Sequence, residues 1–261
     1  MSTPPPPVVA PVPPAGQPAQ PGLSEPARVV DTFIAPRKTF EDLKVKSRWW
    51  SPYVISAVIT VLFGIVAVQK IDIARFVQQQ IERSPSAQKR MEQATPEQRE
   101  RGIAIQATIT KVAFYAYFVV ILIGGVVIAA ILMAVFNFML GGEVSFGRAL
   151  GIVFYSFLPW NLRSILLGVS LLVSSDPNSI DLNNPMPTNP AFFMDPMGSK
   201  FLYGIAQSFD IFSIWTTVLL GLGFAAASSN QKPNTNTAIA TMFVIYGIVV
   251  LIGAGFKAAF S

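Results

Sequence analysis

Two ionisable side chains stand inside stretches that are otherwise apolar, and chemistry would have to start from them. Arg163 lies within the run 149–173 and Asp210 within the run 201–227. Pro159 and Asn161 precede the arginine, and Asn137 sits near the end of the apolar run before it. In hydrocarbon an unpaired charge at mid-helix costs at least about 2.5 kcal/mol, so a buried cation and anion are expected to neutralise one another. At about 1.5 Å per residue, Arg163 falls roughly 15 Å from the end of its run and Asp210 roughly 14 Å from the start of the next. One loop joins those two ends. The runs are therefore antiparallel, and the two charges are predicted at one depth, paired directly or through water. Such a pair could serve transport or a proton relay. One pair is not a chain of relay groups, however, and the plainer reading is a lock between two helices.

The polar residues nearby divide in the same way. Pro159 removes one backbone hydrogen bond, and Gly151, Ser156 and Asn161 are near enough to satisfy the freed carbonyl. A broken helix can line a transport site, or it can bend for packing alone. Asn137 reads as an interhelical hydrogen bond rather than a ligand. Glu143 reads as a solvated residue of the Gly141-Gly142 turn, ahead of Ser145 as a helix cap.

Much other chemistry is excluded by composition. The chain has no cysteine and no histidine, so thiol chemistry, disulfides, Cys/His zinc sites and histidine acid–base catalysis are out. There is no glycine-rich phosphate loop, Gly-x-Ser-x-Gly elbow, HExxH or pair of carboxylates at metal-site spacing. No catalytic residue, cofactor or metal is expected, and an enzyme is not expected. Only 13% of the 261 residues are charged, against 52% hydrophobic, where a soluble domain has about 25% charged. The net charge of +5 has no basic face with interleaved aromatics, which suits anionic headgroups and not nucleic acid.

The elements that would position these side chains follow from the apolar runs. The predicted fold is an all-α membrane protein with five transmembrane helices, over 52–68, 111–140, 149–173, 201–227 and 237–259, the third of them broken. Residues 1–27 form a Pro-rich tail read as disordered. Residues 28–51 form a basic amphipathic juxtamembrane segment of short interfacial helices, with Trp49 and Trp50 as anchors at headgroup level. Within the membrane domain, 52–261, residues 70–110 are an extramembrane insertion. Ser84-Pro85 and Thr95-Pro96-Glu97-Gln98 there are helix starts, the second with a capping box, giving a hairpin of two short helices. Gly124-Gly125, Gly247, Gly253 and Gly255 are expected at close helix contacts. The loop 174–200 is expected to be irregular and to dip Phe192, Phe193, Met194 and Met197 into the interface.

Lys and Arg cluster before the first span, which places the N-terminus in the cytoplasm. The opposite side then receives Lys70, Arg75, Arg83, Lys89, Arg90, Arg99, Arg101 and Lys111, against the same rule. No cleavable signal peptide is expected, and the first apolar run would target the chain.

Several stretches, in order, resemble the Yip domain (Ypt-interacting protein) family in its bacterial form. They are Phe33-Ile34-Ala35-Pro36-Arg37-Lys38-Thr39-Phe40-Glu41-Asp42-Leu43 followed by Trp49-Trp50-Ser51-Pro52; Gly141-Gly142-Glu143-Val144-Ser145-Phe146 with Tyr155-Ser156-Phe157-Leu158-Pro159; and Asp210-Ile211-Phe212-Ser213-Ile214-Trp215. The resemblance covers roughly residue 28 to the end. It implies five spans, a cytoplasmic N-terminus and, for eukaryotic members, association with Rab-type GTPases, which is not carried over here. The expected function is a non-enzymatic membrane-organising or interaction scaffold of the inner membrane. Its partners would be the bilayer and proteins met through helix–helix contacts or the N-terminal tail. The alternative is a small transporter or channel subunit built on Arg163 and Asp210.

Overall fold

The computed structural model describes residues 22–260. Most of the Pro-rich tail, residues 1–21, lies outside the described residues. Every regular element among the described residues is helical, with no strand.

Two short helices come first, α1 (Glu25–Ile34) and α2 (Pro36–Asp42). Ser24 caps α1 through its side chain, so the helix begins inside the stretch read as tail up to residue 27. The first span is α3 (Trp50–Lys70). It is followed by α4 (Ile73–Glu82), α5 (Pro85–Gln93) and α6 (Pro96–Ala134), the last prolonged by a π-helical turn, Val135–Met139. Ser84 caps α5, and the capping box of Thr95 and Gln98 is present at the start of α6. The hairpin of two short helices between the first two spans is α4 and α5, and the second start belongs to the second span itself. It opens one helix of 39 residues, because nothing between Glu97 and Ala134 breaks the backbone pattern.

The third span is α7 (Phe146–Ser156) and α8 (Leu158–Val173), interrupted at Phe157. Pro159 stands in the first turn of α8, where its missing N–H is an orphan of any helix start. The fourth span was expected as one rod. It is instead a bent pair, α9 (Lys200–Ser208) and α10 (Ile211–Ala227), with an angle of 56° between them. The last span is α11 (Thr235–Phe260). Four helices among the described residues are long and apolar enough to cross a membrane, and five spans result if the bent pair crosses as one.

The packing is that of a protein in lipid. On α3 the buried face is Ser56, Thr60, Gly64 and Ala67, while Val54, Val58, Leu62 and Ile65 are exposed. Small and hydroxyl residues face inward and large apolar ones outward. That order costs a water-soluble protein dearly, and it suits a bilayer, where close approach rather than apolar burial holds helices together. The chain is an integral membrane protein of several apolar helices.

The main core joins α6, α7 and α10 with the N-terminal arm. Phe136 stacks on Phe224 at 4.4 Å between ring centres, and Phe154, Tyr155 and Phe40 are fully buried. Phe40 and Leu43 reach the bundle over Gly223 and Gly151. The arm is thus docked onto the spans. The two tryptophans separate: Trp49 stacks on Phe154 at 5.9 Å, and Trp50 stays 51% exposed. A second cluster, with Ile73, Val77 and Leu171, closes the other end. There Arg83 pairs with Asp181 at 3.0 Å, so the segment after the first span and the loop after the third share one side.

Candidate functional site

Asn137 is placed by the π-helical turn at the end of α6. Its amide donates to the Val144 carbonyl at 2.9 Å and accepts from the Val144 N–H at 3.0 Å. The residue therefore clasps its own turn and does not bridge two spans. The clasp extends to the turn before α11. Ser228 accepts the Glu143 N–H at 3.0 Å, and the Asn230 amide donates to the Gly141 carbonyl at 2.8 Å. Ser145 stands at the N-cap of α7 without a side-chain bond.

In the broken third span, Asn161 does not turn back to the carbonyl freed by Pro159. Its amide donates to the Ser56 hydroxyl at 2.8 Å, both groups buried. This is the direct polar link between α8 and α3. Ser156, offered by sequence as another partner for the break, has a buried hydroxyl without a hydrogen bond.

The two intramembrane charges are not brought into contact. The five ion pairs among the described residues include neither Arg163 nor Asp210. Asp210 sits at the break between α9 and α10. It accepts the Phe212 N–H at 2.9 Å and the Thr188 hydroxyl, while the Ile211 N–H reaches the Thr188 carbonyl at 3.1 Å. The break supplies the reason. A helix start inside the membrane offers unpaired N–H groups and the positive end of its dipole, and a carboxylate at N-cap satisfies both. Arg163 feels the charge of Asp210 only at a distance. Its guanidinium lies over the Trp160 ring, 5.5 Å from the centroid. Its Nε is buried and donates to nothing.

The two readings of Asp210 separate on one pair of variants. Asp210→Asn keeps a cap acceptor and should hold nearly full stability, whereas Asp210→Ala should cost about 1–2 kcal/mol. Thermal midpoints in detergent measure both. Equal losses from the two would mean that the negative charge, and not the cap acceptor, is what the position supplies.

Arg163 opens onto a cleft of about 640 Å³ between α3, α6 and α8. Ser56, Thr60, Thr110, Tyr117 and Ser164 contribute hydroxyls to walls that are otherwise mostly apolar. Asp210 is not among its lining residues.

A second buried cation escaped the sequence reading. Arg28 of α1 is 0% exposed. Its Nε donates to Asp42 Oδ2 at 2.5 Å, with Nη2 against the same oxygen, and Nη1 meets Glu25 Oε1 at 3.2 Å. Glu25 also takes Arg48 at 3.3 Å and, through its other oxygen, the Tyr155 hydroxyl of α7 at 3.1 Å. Asp42 Oδ1 accepts the Leu23 N–H at 3.0 Å. Burial opposes the guanidinium charge, but the Tyr155 hydroxyl and the Asp42 carboxylate outweigh it, and the pKa of Arg28 is raised. Only the Glu25–Arg28 spacing could have hinted at this; Asp42 and Tyr155 are too remote in sequence to signal it.

The model of the Yip1 domain matches residues 30–254. The chain belongs to the Yip1 domain family. No curated protein and no solved structure matches the chain significantly. The Yip1 match takes in the turn clasp, the broken third span, the cleft and the capped Asp210, together with Asp42 and Tyr155. Glu25 and Arg28 precede it. The ion network therefore ties a segment outside the Yip1 match to the body of the domain.

Proposed function

We propose that this Yip1 protein is a non-enzymatic interaction scaffold, of the bacterial type, resident in an inner membrane with its N-terminus in the cytoplasm. The observation that carries the reading is the Glu25–Arg28–Asp42–Tyr155 network, which fixes the arm 25–43 to the spans. A Pro-rich stretch entering at Leu23 is thereby held at a set point on the bundle, where protein partners can meet both it and the adjoining helices. The stretch before α1 acts as the partner-facing tail, residues 25–51 as the docked platform and 52–261 as the membrane domain, with 70–110 on the far side. Lipid is the other partner, and nucleic acid is not one.

The alternative, a small transporter or channel subunit, needs one path past both Arg163 and Asp210. The cleft at Arg163 favours it, and the capping role of Asp210 speaks against it. Proximity labelling of the full chain, tagged at the N-terminus in its own membrane, tests the scaffold. A reproducible set of membrane-protein neighbours is expected, depleted in Arg28→Met at matched protein level. A background-only set, together with solute flux in proteoliposomes that Arg163→Gln abolishes, would replace the scaffold by the transporter.

A further inference from the structure

We infer that the cleft between α3, α6 and α8 binds one anionic phospholipid, with Arg163 on its phosphate. The first observation is the unmet cation. Arg163 takes part in none of the ion pairs among the described residues, its Nε is buried without an acceptor, and Asp210 is engaged with Thr188 and Phe212. Trp160 covers one face of the guanidinium at 5.5 Å. A cation over a ring is eased but not neutralised, and the N–H edge still lacks an acceptor. In hydrocarbon that is an expensive state. A phosphate presents the paired oxygens that the planar guanidinium matches.

The second observation is the cleft itself. At about 640 Å³ it has the size of a ligand site, which ranges over about 300–1,000 Å³. On α6 it runs from Thr110 to Ile128, roughly 27 Å of helix. The cleft is thus about as long as one leaflet of a bilayer about 40–45 Å thick, and Arg163, about 15 Å from the end of its span, draws the phosphate below the headgroup plane. Thr110 adjoins the exposed Lys111 at one end, a second attraction for an anionic headgroup on its way in. The apolar walls, with Phe63, Phe114, Val120 and Leu167, suit acyl chains and not a water-soluble anion. Thr60, Thr110 and Ser164 add hydroxyls to the same walls.

The glycine pair on α6 provides a clean probe. A side chain at Gly125 would strike the Phe154 ring at 2.6 Å, whereas Gly124 lines the cleft and a side chain there meets nothing within 4 Å. Gly124→Phe therefore plugs the site without opening the helix contact, and Arg163→Gln removes the charge while keeping a polar side chain. The full chain is purified in detergent, equilibrated with equal phosphatidylglycerol and phosphatidylcholine, and weighed by native mass spectrometry. Wild type should retain one phosphatidylglycerol, with retention about tenfold lower in Arg163→Gln and in Gly124→Phe. Arg148→Gln, which removes a cation outside the cleft, should bind as wild type. Thermal midpoints confirm that each variant is folded. Equal retention of the two lipids, or undiminished retention in Arg163→Gln, overturns the inference. So does displacement of phosphatidylglycerol by equimolar palmitate or inorganic phosphate, or a dimer that Gly124→Phe dissolves.

Discussion

Arg28→Met should undock the N-terminal arm and lower stability by about 3–5 kcal/mol, the usual cost of stranding the partners of a buried charge. Arg28 is 0% exposed and meets both Asp42 and Glu25. Methionine fills much of the same volume, so the loss is one of charge rather than packing. Asp42 is the partner left worst off, with a side chain only 10% exposed. Glu25 is better placed, because Arg48 and the Tyr155 hydroxyl remain. A second substitution, Asp42→Asn, should therefore recover part of the loss: it removes the stranded charge and keeps an oxygen for the Leu23 N–H. Limited trypsin digestion provides the local readout, since Arg37 and Lys38 lie exposed on α2, where cleavage needs the helix to open. Faster cutting there and a lower thermal midpoint are expected together. An unchanged midpoint with an unchanged digestion rate would mean that Phe40 and Leu43 alone hold the arm.

The same arm shows where the sequence could be read and where it could not. Long apolar runs announce spans whatever their neighbours, so α3, α6, α7–α8 and α11 were foreseeable to within a few residues at most ends. The capping box at Thr95 was legible because its bonds are local. Arg28 gave no such signal, as two of its network's members lie on other elements. Among basic neighbours it passed for one more headgroup contact. Trp49 and Trp50 were given one role because composition does not say which of two adjacent rings turns inward.

Asp210 shows a different limit. Measuring depth at a fixed rise per residue assumes an unbroken helix. The chain breaks at Phe209–Asp210, and the break itself supplies N–H donors for the carboxylate. A local partner at a helix start takes the carboxylate at short range, and Arg163 feels its charge only at a distance. Asn161 follows the same logic in reverse: the hydrogen bond expected within its own helix is spent on Ser56 across the interface.

Glycine positions separate the two kinds of information most sharply, and they lead to the second large effect. Gly247, Gly253 and Gly255 were expected at helix contacts, yet a side chain at any of them would meet nothing within 4 Å. The true close approach in this part of the bundle is at Gly221, where a Cβ would lie 2.7 Å from Ile239 Cα and 2.9 Å from Ile239 N. Those are backbone atoms of α11. They cannot rotate aside, so a larger residue must push the two helices apart. Gly221→Leu should then destabilise by about 3 kcal/mol, the upper part of the overpacking range. Gly247→Leu should be near neutral, because its side chain enters lipid. The contrast controls for helix propensity, which favours leucine at both sites. Thermal midpoints in one detergent, with protein level in the membrane as a second measure, decide it. A Gly221→Leu protein as stable as Gly247→Leu would mean that α10 and α11 are not in backbone contact. The packing of the fourth and fifth spans described above would then have to be abandoned.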